Sequence, residues 1–125
     1  MEIKAHKTKT LNIAEVISDE VILKNLDDGL DLIGNLGYQG FDKMIIHEKN
    51  ISADFFDLKT KLAGDILQKF IQYRMALAIV GEFKKYNSRS LNEYIFESNK
   101  GKTINFVGTV EEALKEWTWG AEHYL

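Results

Sequence analysis

A histidine and several carboxylates stand close together in the segment from Lys43 to Gly64. His47 and Glu48 directly follow three apolar residues, and Asp54 and Asp57 follow in the same polar stretch. A carboxylate beside an imidazole can tune it for general acid–base catalysis, or the groups can form part of a site for a divalent cation. The alternative is a hydrogen-bonded structural histidine, because one histidine near carboxylates occurs in many loops. The catalytic candidates are His47, Glu48 and Asp57, and no metal motif is recognised.

A hydroxyl group stands near the start of the helix predicted after this segment. Thr60 follows Asp57 and Lys59, and the first turn of a helix stabilises an added phosphate through its free N–H groups and its dipole. Thr60 is therefore the candidate phosphorylation site. The alternative is that Thr60 caps the helix, whose first turn would then be placed differently.

Candidate partner-binding residues lie in the same segment and after the next apolar strand. Phe55 and Phe56 are adjacent, and consecutive side chains of a helix or strand point in different directions, so at least one ring is expected to be exposed. Alternatively, the loop folds back and both rings cover the sheet edge. A small basic cluster further on is either solvated or contacts an acidic partner. The predicted binding residues are Asp54, Phe55, Phe56, Lys59, Gly81, Lys84 and Lys85.

Two glycines terminate predicted strands, Gly81 in IVGE and Gly108 in FVGT. The absence of a side chain there permits close approach of a ligand or of a partner's backbone, although glycine is also a common turn residue. Neither segment is a phosphate-binding loop or a dinucleotide fingerprint. No nucleotide or other cofactor is predicted.

Length and composition restrict the classes of protein that this chain can be. The 125 residues suit one domain over 1–125, and 45% apolar with 28% charged residues is ordinary for a globular protein. A net charge of −3 disfavours nucleic-acid binding, and the absence of cysteine excludes disulfides and thiolate chemistry. No apolar run is long enough to span a membrane, and no signal peptide is recognised. We expect a cytoplasmic protein.

Apolar runs and helical periodicities alternate along the chain. They predict the order β-β-α-β-α-β-α-β-α, and therefore a single α/β domain with a mainly parallel five-stranded sheet, mixed by a first strand antiparallel to the second, and four main helices. The strands are predicted at Ile3–Thr10, Leu11–Ile17, 44–46, Ala76–Val80 and Thr103–Val107.

The helices are placed by their apolar stripes and by capping residues. The first is capped by Ser18 or Asp19 and ends near Gly37, and the second begins between Ser52 and Lys59, preferably after a short turn at 53–57. The third opens at Ser90 with Glu93 and ends near Asn99, and the last is capped by Thr109 with Glu112. Of Trp117 and Trp119, one is expected to pack and the other to mediate self-association into a homodimer.

Several segments resemble the bacterial domain-of-unknown-function family 4180 (DUF4180), over nearly the whole chain. They are IAEVISDEVI, GYQGFDKMIIHEKNI, DFFDLKTKLAGDILQKF, YRMALAIVGEF, SLNEYIFESNKGKTINFV and EEAL. This resemblance implies no established activity.

The element order is also similar to that of the STAS domains, the anti-sigma-factor antagonists, which carry a phosphorylatable hydroxyl just after the third strand. The similarity would place 57–60 at that position. The STAS pattern has an Asp followed directly by a hydroxyl pair and Gly, whereas here Leu58 and Lys59 precede Thr60, and Lys61 takes the glycine's place.

The pattern as a whole favours binding over catalysis, because no complete set of nucleophile, base and orienting group is present. We therefore expect a small STAS-like regulatory module that binds an unidentified protein through the edge from His47 to Thr60 and the loop from Gly81 to Lys85. The alternative is a small enzyme, or a metal- or anion-binding protein, that uses His47, Glu48 and Asp57 at the carboxyl edge of the sheet.

Overall fold

The computed structural model describes the backbone of residues 1–123 and the side chains of residues 1–117. It contains five strands and four α-helices in the predicted order. The strands are β1 (Glu2–Lys7), β2 (Asn12–Ile17), β3 (Lys43–His47), β4 (Ala76–Val80) and β5 (Ile104–Val107). The helices are α1 (Leu26–Tyr38), α2 (Leu62–Gln72), α3 (Arg89–Ser98) and α4 (Val110–His123).

The spatial order of the strands is the same as their order along the chain, β1-β2-β3-β4-β5. β1 pairs antiparallel with β2, and the other neighbouring pairs are parallel. The mixed, mainly parallel sheet predicted from the sequence is therefore confirmed. Because the strand order never reverses among the described strands, this sheet lacks the switch point at which open α/β sheets form their ligand crevice.

The two faces of the sheet are covered unequally. A right-handed crossover repeated in one direction places every crossover helix on one face, and α1, α2 and α3 all pack there. Their apolar side chains, including Leu36, Phe70 and Leu91, form the larger core with inward-facing residues such as Met44 and Leu77.

The opposite face carries a smaller core that involves α4. Ile13, Ile45 and Ala78 pack with Ala113 and Trp117 of this helix. Ile45 therefore points to α4, while its neighbours Met44 and Ile46 point to the larger core. β3 is apolar on both faces for this reason, as its sequence predicts.

The first helix begins later than predicted. The prediction of Ser18 or Asp19 as its cap is wrong, because Asn25 caps α1 by accepting a hydrogen bond from the Asp28 N–H at 2.9 Å. The residues before α1 are held instead by the 3-10 turn that follows β3 (Glu48–Asn50), where the side-chain amide of Asn50 donates hydrogen bonds to the carbonyls of Ser18 and Glu20. The apolar residues of this segment pack in the core, and Leu23 also forms a single β-bridge with Ile51. Their spacing therefore resembles that of a helix although no helix forms.

The later boundaries differ less. Short 3-10 turns occupy Ala53–Phe56 and Leu58–Thr60 before α2, so the expected turn at 53–57 is present but the helix starts beyond the predicted interval. Ser88, not Ser90, caps α3.

The predicted start of α4 is correct. Thr109 Oγ1 accepts from the N–H of Glu112, and the Glu112 carboxylate accepts from the N–H of Gly108. Trp117 is buried, as one tryptophan was expected to be, whereas the side chain of Trp119 lies outside the described residues. Within residues 1–123, no helix is both long and apolar enough to cross a membrane.

Candidate functional site

The two central candidates, His47 and Glu48, use their side chains in different places. His47 is the last residue of β3, and its side chain lies on the α4 face in the same alternation as Ile45. Glu48 opens the following 3-10 turn and reaches across to the end of β4. The sequence placed both residues correctly at the carboxyl end of a strand, but the structure directs them to two separate polar sites.

The first site is a carboxylate held between two imidazoles. Glu15 Oε1 lies 2.9 Å from His6 Nε2, and Glu15 Oε2 lies 2.7 Å from His47 Nε2. We call these three residues the His–Glu–His cluster. His6 lies on β1, Glu15 on the middle strand β2 and His47 on β3. In the register of the sheet, Glu15 is opposite Lys4 on β1 and opposite Ile45 on β3.

The electrostatics of the cluster favour an ionised Glu15. Burial opposes ionisation and is the largest single influence, but the hydrogen bonds and charges of His47 and His6 together outweigh it and hold the pKa of Glu15 below its usual value. A carboxylate that is ionised only accepts hydrogen bonds. Each of the two Nε2 atoms therefore carries the hydrogen.

The second site is the carboxylate of Glu48, which receives three donors. Its Oε1 accepts from the Glu82 N–H at 3.1 Å, and its Oε2 accepts from Lys85 Nζ at 2.9 Å and from the Tyr86 hydroxyl. Burial opposes ionisation most strongly, yet these donors outweigh it and lower the pKa of Glu48. Burial and the adjacent carboxylate raise the pKa of Tyr86 above its ordinary range. The carboxylate thus ties the end of β3 to the loop after β4.

Gly81 makes room for this carboxylate. A Cβ on Gly81 would lie 2.6 Å from both the Cβ and Oε1 of Glu48, closer than real Cβ contacts allow. The close approach expected at this glycine is therefore made by the chain itself. At Gly108, the corresponding space is approached by the Glu112 carboxylate, with a hypothetical Cβ 3.5 Å from Oε1.

Asp57 and Thr60 belong to a capping arrangement ahead of α2. Asp57 Oδ1 accepts from the Lys59 N–H at 3.2 Å, and Thr60 Oγ1 accepts from the Leu62 N–H at 3.2 Å. The Thr60 hydroxyl lies 2.7 Å from the carbonyl oxygen of Asp54 and 2.8 Å from that of Asp57, so it donates within this turn. The capping alternative for Thr60 matches this geometry, and its phosphorylation stays a prediction.

Phe55 and Phe56 are both buried, with 1% and 3% of their surfaces exposed. The expectation that at least one ring would be exposed is wrong, because the 3-10 turn folds both rings over the sheet edge, as the alternative proposed. Phe56 stacks on Tyr86 with ring centroids 4.9 Å apart and contacts Phe83 at 5.8 Å. The two rings therefore pack in the core beneath the turns that follow β3 and β4 and do not form part of the exposed surface.

The charged side chains at this end of the sheet have different surroundings. We call residues 48–60 and 81–86 together the carboxyl rim. Lys85 is paired with Glu48, and Arg89, just beyond the rim, is paired with Glu93 at 3.0 Å. Of the predicted binding residues, Asp54, Lys59 and Lys84 are exposed and form no side-chain hydrogen bond or ion pair within the described residues.

The predicted catalytic residues therefore do not converge on one place. His47 faces Glu15, Glu48 faces Tyr86 and Lys85, and Asp57 caps a turn. Within the described residues, no group of three or more His, Cys, Asp or Glu side chains is arranged to hold a metal ion. In the His–Glu–His cluster, both Nε2 atoms are turned to the carboxylate itself.

Three residues of these sites were missed by the sequence reasoning. Glu15 had a detectable signal, because a charged residue interrupts the apolar run IAEVI of a strand. His6 could have been found with it, since an antiparallel hairpin places His6 diagonally from Glu15 on the same face. Tyr86 had no signal, because its role depends on how the loop after β4 folds back.

Comparison with known proteins gives a family and no function. The model of a family described as "Domain of unknown function (DUF4180)" matches residues 8–117. No curated protein and no solved structure matches the chain. The similarity to STAS domains is thus limited to the order of elements.

Proposed function

Because the chain belongs to the DUF4180 family, whose description assigns no activity, we propose from geometry that it is a small regulatory module that binds another protein. The binding surface is the carboxyl rim. The observation that carries this proposal is that the polar groups of the rim best suited to chemistry are already engaged by the fold. We also propose the cytoplasmic, bacterial setting that the sequence and the family resemblance suggest.

The first support is the separation of the catalytic candidates. A catalytic site needs a nucleophile, a base and an orienting group that can reach one reacting atom. Glu48 already receives three donors, and His47 is directed to Glu15 on the sheet face. The alternative enzyme, or metal- or anion-binding protein, using His47, Glu48 and Asp57 would first have to break these contacts. No observation favours it.

The second support is that unpaired charged side chains lie on turns whose backbone is held firmly in place. Asp54, Lys59 and Lys84 project from turns whose backbone is held by caps and by the aromatic rings beneath. Fixed charges of both signs favour fast and selective encounter with a complementary surface more than they add raw affinity. The partner expected is a protein surface that presents both acidic and basic side chains.

The test uses a photo-crosslinking amino acid at position 59 of the full-length chain, expressed in cells. We expect a discrete crosslinked protein that is lost when Lys84→Glu and Asp54→Lys are added. Lys115→Glu is the matched control for Lys84→Glu, because Lys115 is exposed on α4, across the sheet, and the substitution makes the same change of charge. Crosslinks that are absent, or that respond equally to the rim and control variants, would contradict the proposal.

The crosslinked species also distinguishes the partners. A foreign protein supports a regulatory interaction. A product of twice the chain's mass that responds to the rim variants identifies a second copy as the partner, as the predicted homodimer requires. Neither outcome depends on Trp119, whose side chain is outside the described residues.

A further inference from the structure

The His–Glu–His cluster lies outside the carboxyl rim and is used by none of the interactions proposed above. Along β1, Lys4 and His6 share the face of Glu15, because Lys4 is the direct partner of Glu15 and His6 lies two residues further. On β3, His47 lies two residues beyond Ile45, the partner of Glu15. The two imidazoles therefore approach one buried carboxylate from opposite diagonal positions.

Glu15 determines which ring nitrogen of each histidine is reactive. The ionised carboxylate accepts hydrogen bonds from both Nε2 atoms. A neutral imidazole has one N–H and one lone pair, so the lone pair of each ring is on Nδ1. An imidazole whose N–H is held by a carboxylate is oriented for reaction at its other nitrogen, by the same principle that orients the base of catalytic triads.

Neither Nδ1 atom has a hydrogen-bond partner within the described residues, and neither is among the fully buried side-chain atoms that lack a partner. The side chains are 20% exposed for His6 and 27% exposed for His47. The remaining exposure of each ring therefore includes a nitrogen with an available electron pair.

The surrounding charges distinguish the two imidazoles. Lys4 is exposed, lies beside His6 on the same strand face, and forms no ion pair within the described residues. On the side of Glu15 toward His47, β2 continues to Ile17, which pairs with Glu2 on β1; both residues line a polar cleft together with Asp19 and Glu20. An anionic reactant is thus attracted to His6 and repelled near His47.

We propose that His6 accepts a phosphoryl group on Nδ1, with Glu15 and His47 as positioning residues. The Nδ1 lone pair forms the N–P bond as the P–N or P–O bond to the leaving group breaks, and the leaving group departs with that electron pair. The proton stays on Nε2, where the Glu15 carboxylate balances the positive charge that develops on the ring. His47 holds the second oxygen of Glu15, and the Lys4 ammonium pairs with the transferred phosphoryl group. The donor class is a small phosphoramidate or acyl phosphate.

The test treats the folded full-length chain with potassium phosphoramidate and follows acid-labile phosphate by phosphorus NMR and by mass spectrometry of peptides. We expect His6 to be labelled faster than His47 and His123. In the urea-unfolded chain the three histidines should react at similar rates, because no carboxylate orients them. Equal rates in the folded chain, or labelling of His6 that is as fast after unfolding, would overturn the proposal.

Variants separate positioning from folding. Glu15→Gln should slow labelling of His6 by about 10- to 100-fold, the scale on which losing a carboxylate that orients an imidazole is felt. Glu112→Gln is the matched control, because it makes the same change at a hydrogen-bonded carboxylate outside both the cluster and the carboxyl rim, and the rate should not change. If Glu15→Gln does not fold, nitrogen-15 NMR of the wild-type protein decides: His6 must show the hydrogen on Nε2. Hydrogen on Nδ1 would contradict the proposed mechanism.

Discussion

Glu48 occupies the space that a side chain on Gly81 would need, so the end of β4 and the carboxylate that crosses it fit together only with glycine at this position. A Cβ 2.6 Å from the Cβ of Glu48 cannot be relieved by moving the far end of a flexible side chain alone. The contact therefore links the backbone positions of β3 and β4 at the carboxyl rim.

Gly81→Ala should lower the free energy of unfolding by about 1–3 kcal/mol, the usual cost of overpacking. Gly64→Ala is the matched control, because Gly64 lies in α2 with no atom within 4 Å of its hypothetical Cβ. The control should be neutral or more stable by up to about 1 kcal/mol, since alanine favours helix. Urea unfolding measures both variants, and equal stabilities would show that Glu48 moves aside freely.

Tyr86→Phe should destabilise the protein by about 1–3 kcal/mol, because the partly buried Glu48 carboxylate loses a hydroxyl donor. Tyr94→Phe provides the comparison: Tyr94 also packs edge-on to Phe106, but its hydroxyl has no hydrogen-bond partner within the described residues. Urea unfolding should show a clearly larger loss of stability for Tyr86→Phe than for Tyr94→Phe. In wild-type protein, spectrophotometric titration should find that Tyr86 ionises above the ordinary range of tyrosine.

Acid should destabilise the fold through Glu15 and Glu48. Both carboxyl groups have a pKa below the ordinary 4.5, so on acidification the unfolded chain binds protons before the folded chain does. Their contribution is fully present above the ordinary value and is lost as the pH falls through the folded pKa values. Urea unfolding across this range should show stability decreasing with pH, and Glu15→Gln or Glu48→Gln should each flatten the decline. A wild-type decline that neither variant reduces would refute this assignment.

Thr60→Val should cost about 0.5–2 kcal/mol, because it removes the oxygen that receives the Leu62 N–H ahead of α2. Thr60→Ser keeps that oxygen and should retain most of the stability. Thermal unfolding monitored by circular dichroism compares the two. Phosphate on Thr60 would compete with the same capping contacts, so phosphopeptide analysis of cells in several growth states tests the predicted modification separately.

Phe55→Ala and Phe56→Ala should each cost about 3–5 kcal/mol, as expected for truncating a buried ring. Phe96→Ala is the control, because that ring is 66% exposed on α3. Denaturant unfolding should leave the control close to wild type. Small effects at positions 55 and 56 would mean that the rings are accessible after all, and would return them to the set of partner-binding residues.

The regular elements were predictable because their residues carry local signals. The two-sided apolar run of β4 gave its bounds without error, and Thr109 with Glu112 gave the start of α4. The helix predicted over residues 18–25 is absent, because the apolar residues there pack in the core and Leu23 forms a β-bridge with Ile51. That pairing joins distant parts of the chain, and a periodicity within one segment does not reveal it.

The sites were less predictable because side-chain partners depend on the register between strands. The sequence identified His47 and Glu48 and their position at a strand end, but it could not show that they turn to different faces. Glu15 was overlooked because its apolar neighbours dominated the interpretation of β2. A charge in a predicted inner strand is itself a reason to search the adjacent strands for a partner.

The sequential arrangement of the strands has a consequence for how the molecule folds. Each strand lies beside the one that precedes it in the sequence, so no pairing within the sheet joins the two ends of the chain. Contacts between segments that are near in sequence cost less chain entropy to form, so the domain should fold fast for an α/β protein and as one unit, with the two histidines and their shared acid brought together in the same step.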